Sequence, residues 1–212
     1  MFRQMMPALR ATIVIAILTG LVFPAIVTVI AQFLFPKQAN GSLILNSQGH
    51  VIGSTLIGQQ FVMEKYFHPR ASAAGSGYAG EASAGTNLGP TSSKLILGQI
   101  DDPTTKDADE SFAGIKQLSQ KFRQENFLEN NEKVPVDAVT RSGSGLDPHI
   151  SQENALLQAR RIAKVRSLPL SEVLGLVKKR TEPRQFGIFG EPRVNVLILN
   201  LSLDKVQSPQ NG

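Results

Sequence analysis

A chain of 212 residues with 42% hydrophobic and 18% charged residues is too apolar to stay disordered and too polar to lie wholly in lipid. Its net charge of +5 is spread over intermingled acids and bases, with no Lys/Arg stripe interleaved with aromatics, which argues against a nucleic-acid partner. Cysteine is absent, and that excludes disulfides, thiolate metal sites and Cys nucleophiles together.

The first element is an apolar run from Ala11 to Phe35, interrupted by Thr12, Thr19, Gly20, Pro24, Thr28 and Gln32. As a helix it is roughly 37 Å long, against a hydrocarbon core of about 30 Å, so it spans with some tilt. The competing reading is a cleaved signal peptide, with Val29-Ile30-Ala31 as its small-residue site. Signal-peptide apolar cores are about 7–15 residues long, and this run exceeds them. Arg3 and Arg10 precede the run without an acid, and Lys37 follows it. The positive-inside bias therefore predicts residues 1–10 in the cytoplasm, a transmembrane helix over 11–35 and an extracytoplasmic domain over 36–212. One helix without Asp, Glu, Lys, Arg or His at membrane depth encloses no pathway, so any transport path belongs to another chain. Thr19, Gly20 and Pro24 mark a place for a kink, small residues for packing against a neighbouring helix, or the ordinary tolerance of Gly and Thr on a lipid-facing helix.

Roughly 170 residues remain, enough for one domain with a real core. Leu43-Ile44-Leu45 and Val51-Ile52 are β-prone runs joined by the turn-rich Asn46–His50. Residues 71–93, dominated by Ala, Ser and Gly, predict a long irregular loop. Phe112, Ile115, Leu118 and Phe122 share one face of a helix, and Val134-Pro135-Val136 begins an extended segment. Ser151 is a good N-cap for a helix ending in the basic cluster Arg160, Arg161, Lys164 and Arg166, read as a solvated face that complements the helix dipole. Ser171 is read as the cap of a second helix that ends at Lys178, Lys179 and Arg180 before Pro183. Val194 to Leu203 is almost continuously apolar and predicts a central strand covered on both faces. The mixture defines an α+β domain behind one membrane helix.

Catalytic chemistry finds no footing. His50, His68 and His149 lack metal-ligand spacing, so no metal site is expected. Ser142-Gly143-Ser144-Gly145 has the wrong glycine spacing for a nucleophile elbow. Gly53 to Gly58 has the spacing of a phosphate-binding loop, but Gln59 and Gln60 stand where Lys and Ser/Thr are required. Tyr66-Phe67-His68-Pro69-Arg70 packs aromatic, titratable and cationic groups together. It serves either to grip a carboxylate or partner surface through Arg70, or as a turn with an aromatic plug and a bracing Arg.

Those segments, taken in order, resemble the C subunit of the Kdp potassium-transporting P-type ATPase. The matching stretches are Gln38–Leu43, Gly53-Ser54 with Leu56–Gln59, Tyr66–Ser72, Gly85–Thr91, Val136-Asp137 with Ser142–Ile150, Gly190–Leu197, and Leu199–Leu201 with Leu203-Asp204. Residues 101–109 look like an insertion, Ala71 stands where the family often has proline, and Ile198 where it often has glutamate. The resemblance implies a non-catalytic accessory subunit in the cell membrane, with no cofactor of its own. Its complex uses ATP, Mg²⁺ and K⁺, with one partner conducting K⁺ and another hydrolysing ATP. It also implies a catalytic chaperone that raises the ATP affinity of the hydrolysing subunit. A domain outside the cell does not meet ATP, so such an effect has to pass through helix contacts in the membrane. A tenfold change needs about 1.4 kcal/mol of coupling. Tyr66, Phe67, His68, Arg70 and, in the following loop, Asn87 are the expected contacts with the conducting partner. The alternative is a membrane-anchored module binding an extracellular solute or cell-wall component, with the 71–93 loop as a lid.

Overall fold

The computed structural model describes residues 2–100 and 111–207; the 101–109 insertion lies outside the described residues. The chain divides into two units, one ending at Ser54 and one beginning at Thr55.

In the first unit, α1 (Phe2–Ile17) runs through a π-helical turn, Leu18–Val22, into α2 (Phe23–Leu34). Residues 3–34 form a helix long and apolar enough to cross a membrane, with a mean hydropathy of 2.8 in its most apolar window. The π-turn sits where the sequence marks a kink, and Pro24 explains it. Pro24 has no N–H to give the Gly20 carbonyl, and its ring would press on that carbonyl. The turn widens, the Phe23 amide reaches back to the Leu18 carbonyl, and the Thr19 hydroxyl bonds the Ile15 carbonyl at 2.8 Å. The short helix α3 (Pro36–Ala39) follows, then an antiparallel hairpin of β1 (Leu43–Leu45) and β2 (Val51–Ser54). Asn46 makes the predicted turn, its side chain accepting from the amides of Gln48 and His50 at 3.0 and 2.9 Å.

In the second unit, irregular chain from Thr55 leads to α4 (Ser93–Leu97), α5 (Ile115–Glu125) and α6 (Val136–Val139). Then come β3 (His149–Ser151), α7 (Gln152–Arg166), α8 (Leu170–Arg180), β4 (Thr181–Glu182), β5 (Arg193–Asn195) and α9 (Val196–Gln207). The antiparallel sheet is ordered β3-β5-β4, with Ile150 opposite Val194 and Val194 opposite Thr181. The core gathers Phe67, Ile150, Ala155, Ala159, Ile162, Val173, Val177, Val194, Val196, Leu199 and Leu203, from both sheet and helices.

Several expectations are corrected. Val194 to Leu203 is not one strand: the chain leaves β5 at Asn195 and coils into α9. The Asn195 side chain accepts from the Ile198 amide at 3.1 Å, capping the new helix. Val196, Leu199 and Leu203 then share one buried helical face, a period hidden because Ile198 and Leu201 on other faces are apolar too. Ser171 lies inside α8, whose N-cap is Pro169. Phe112 precedes α5 and pairs with Gln99 in an isolated bridge, and Val136 opens a helical turn rather than an extended segment. Ser151 caps α7 as expected, accepting from the Asn154 amide at 3.1 Å.

Candidate functional site

The irregular stretch 64–72 enters the core without forming a strand, so its backbone polar groups need partners from elsewhere. Side-chain amides supply them. The Asn200 amide group accepts from the Phe67 N–H at 2.8 Å and donates to the Phe67 carbonyl at 3.0 Å. One residue on, Gln158 accepts from the His68 N–H at 2.7 Å and donates to the His68 carbonyl at 3.0 Å. These two side chains, from α9 and α7, imitate the neighbouring strand of a sheet. Gln158 also donates to Asn154 at 2.9 Å, and Asn154 donates to Asp137 at 3.0 Å. Asp137 in turn accepts from the Ser151 amide and hydroxyl at 2.7 and 2.8 Å.

Two arginines complete the clamp. Arg161, 1% exposed, donates to the carbonyls of Glu64 and Tyr66, to the Asn126 side chain at 3.0 Å and to Gln158 at 3.0 Å. Burial pulls its pKa down to about 10, with Glu125 and Glu64 opposing, so it stays charged near neutrality. Arg166 donates to the Lys65 carbonyl at 2.8 Å and to Asp204 at 2.7 Å, and stacks 4.9 Å from the Tyr66 ring centre. Asp204 also accepts from the Tyr66 hydroxyl at 3.2 Å. The basic cluster at the end of α7 is therefore not one solvated face: Arg161 and Arg166 turn inward, while Arg160 is exposed and pairs with Glu132 at 2.8 Å.

The sequence-designated residues divide by environment. Phe67 is fully buried in the core. Tyr66, His68 and Arg70 are half-buried around it, and Asn87 is exposed, with a left-handed φ of +52°. Arg70 donates to the Arg141 carbonyl at 3.1 Å and pairs with Asp147 at 3.3 Å. The Tyr78 hydroxyl donates to the Arg70 carbonyl at 2.9 Å, and burial, then Asp147, pushes its pKa up so that it remains a donor. His68 and Arg70 line a cavity of about 720 Å³ with Tyr78, Lys121, Glu125 and Gln158; Asn87 is not among the lining residues. Glu125 lies 3.6 Å from His68, whose hydrogen bond holds the Glu125 carboxyl below its ordinary pKa against the opposing effect of burial. No group of three or more His, Cys, Asp or Glu that could hold a metal occurs among the described residues.

The Ser142–Gly145 turn proves to be a ledge for the Ala/Ser/Gly loop. Ser72 donates to the Gly145 carbonyl at 2.6 Å, and the Ala84 amide and the Ser83 hydroxyl donate to the Ser144 carbonyl at 3.0 and 2.9 Å. Gly145 has φ +68°, and a Cβ there would sit 2.6 Å from the Ala84 carbonyl oxygen. Sequence reasoning missed Asn154, Gln158 and Asn200, and read Arg161 as solvated. For Asn154, Gln158 and Arg161 the one local signal is polar residues at i, i+4 and i+7 on the otherwise buried face of α7.

Fold and site together define an α+β protein that carries one N-terminal helix long and apolar enough to cross a membrane and a network of buried polar side chains bonded to an irregular segment. A profile of the family described as K+-transporting ATPase, c chain, matches residues 5–205. The chain is 48% identical over 209 residues to the potassium-transporting ATPase KdpC subunit of Myxococcus xanthus, covering 99% of this chain and 91% of the relative. Against the KdpC subunit of Mycobacterium tuberculosis (strain H37Rv) the identity is 47% over 206 residues, covering 97% of this chain and 100% of the relative. Against that of Rhodospirillum rubrum it is 49% over 205 residues, 97% of each chain. The chain belongs to the KdpC family, the c chain of the K⁺-transporting ATPases.

Proposed function

We propose that this chain is the non-catalytic accessory subunit of an ATP-driven potassium import complex, joining a potassium-conducting partner to an ATP-hydrolysing one. The observation that carries the reading is the family match from residue 5 to residue 205, which takes in the membrane helix and the folded domain alike. The helix is anchored N-terminus inward, by Arg3 and Arg10 against Lys37, and the domain lies outside. The complex uses ATP, Mg²⁺ and K⁺, and this chain needs no cofactor of its own. Its effect on ATP affinity is exerted through the helix: Gly20 has no heavy atom within 4 Å of a built Cβ, which leaves that face open to a neighbouring helix. Tyr66, His68, Arg70 and Asn87 meet the conducting partner, and the buried Phe67 holds the 66–70 segment in the core.

Extraction in mild detergent tests the assembly: the chain should come out with two large polytopic partners, and purification alone would favour a solute-binding module. Removing the chain from the purified complex should raise the KM for ATP about tenfold with kcat little changed, equivalent to about 1.4 kcal/mol. An unchanged KM would refute the chaperone role while leaving assembly standing.

A further inference from the structure

Between β4 and β5 the chain makes a tight turn that no part of the proposed function uses. Phe186, Ile188 and Phe189 stand 83%, 71% and 65% exposed at its tip. The turn is rigid despite that exposure. Gln185 and Phe189 exchange backbone hydrogen bonds at 2.8 and 2.9 Å, and the amides of Gly187 and Ile188 donate back to Arg184 and Gln185 at 3.1 and 3.2 Å. Arg184 clasps Glu191 across the base at 2.6 Å. Three large apolar side chains held in water on a fixed turn mark a surface meant to be covered.

We propose that this turn is an interfacial membrane anchor, dipping Phe186, Ile188 and Phe189 below the phosphates of a bilayer rich in anionic lipid. Three observations select lipid as the occupant. The tip carries no side-chain hydrogen-bonding group at its three exposed apolar positions, and four of its amides are already bonded within the turn, so those N–H groups are not stranded on insertion. The charge just before it in the chain is cationic. Lys178, Lys179 and Arg180, which end α8 just before β4, are exposed and have no ion pair among the described residues. The nearby acids are already matched, Glu182 by Arg193 at 3.1 Å and Glu191 by Arg184. An apolar tip preceded in the chain by three exposed basic residues has the chemistry of an interfacial anchor on anionic lipid. Finally, the same chain carries a helix of membrane-spanning length, so the bilayer is present at high effective concentration and a weak second anchor suffices. The inference holds on either side of the membrane.

The chain contains no tryptophan, so Phe186→Trp introduces a single fluorescent reporter. The full-length variant is placed in nanodiscs of phosphatidylglycerol brominated near the headgroup end of its acyl chains. Val136→Trp, at a 74% exposed position outside the turn, serves as the comparison. Emission at position 186 should be blue-shifted and quenched by about half or more, with position 136 nearly unaffected. Quenching at position 186 should weaken in phosphatidylcholine discs and in the Lys178→Gln/Lys179→Gln/Arg180→Gln background. An unquenched position 186, or equal quenching at both positions, overturns the proposal. So does a blue shift that appears only when the other subunits are added, which would make the turn a protein contact.

Discussion

Asn200 is one residue whose loss has a calculable consequence, because both its polar atoms serve the buried Phe67 backbone. Asn200→Ala strands one N–H and one carbonyl at about 1–3 kcal/mol each, so urea denaturation of the full chain should show about 2–6 kcal/mol lost. Arg161→Ala should cost about 3–5 kcal/mol, since two part-buried carbonyls and two buried side-chain amides lose a shared donor. Arg70 is braced within its own domain by Thr140, Arg141 and Asp147, so Arg70→Ala should lower the melting temperature of the full chain followed by circular dichroism. A contact with the conducting partner predicts in addition a loss of complex beyond what that destabilisation explains. Its partner Asp147 makes a pH prediction. Burial pushes the carboxyl up, but hydrogen bonds from His149 and the charges of His149 and Arg70 outweigh it, leaving the pKa below its ordinary value. A depressed carboxylate stabilises the fold fully above about pH 4, and that stability is lost as pH falls through the folded value. Asp147→Asn should therefore flatten the acid limb of the stability profile, and an unchanged limb would count against this assignment.

Among the elements, residues 72–86 of the Ala/Ser/Gly loop show how a segment made mostly of small side chains is held. Its partner is the Ser142–Gly145 ledge, where backbone meets backbone closely enough for hydrogen bonds from Ala84 and Ser83 to Ser144. Gly145→Ala meets both obstacles at once, a positive φ and a 2.6 Å contact with the Ala84 carbonyl. It should cost about 2 kcal/mol or more and speed hydrogen exchange at the Ala84 amide, while the core amide of Val194 exchanges as before. In the membrane helix, Pro24→Ala restores the missing donor. The π-turn should then relax toward α-helix, and the helix face presented after Val22 should rotate relative to the part before it.

For the whole molecule, topology is the decisive expectation. A fluorescent reporter that matures only in the cytoplasm, fused after Gly212, should stay dark in cells, and a bright signal would reverse the orientation read from Arg3, Arg10 and Lys37. Reversal would also place the domain beside ATP and make a direct nucleotide contact the simpler account of any effect on ATP affinity.

A helix long and apolar enough to cross a membrane was legible from residues 11–35 alone, because that capacity is decided by the length of an apolar run, a property local to the chain. The hairpin at Asn46 and the Ser151 cap were legible for the same reason: the groups that satisfy each other lie within four residues. The conformation of 194–203 was not, since an apolar run reads alike as strand or helix until neighbours choose the buried face. Nor was the fate of Arg161, whose carbonyl partners Glu64 and Tyr66 lie nearly a hundred residues earlier. A charge can be buried only when enough donors and acceptors converge on it, and that convergence exists only in the folded chain. Tertiary structure likewise decided the Tyr66–Arg70 segment, sending Phe67 into the core and leaving its neighbours half-buried, because Asn200 and Gln158 fix the backbone between them.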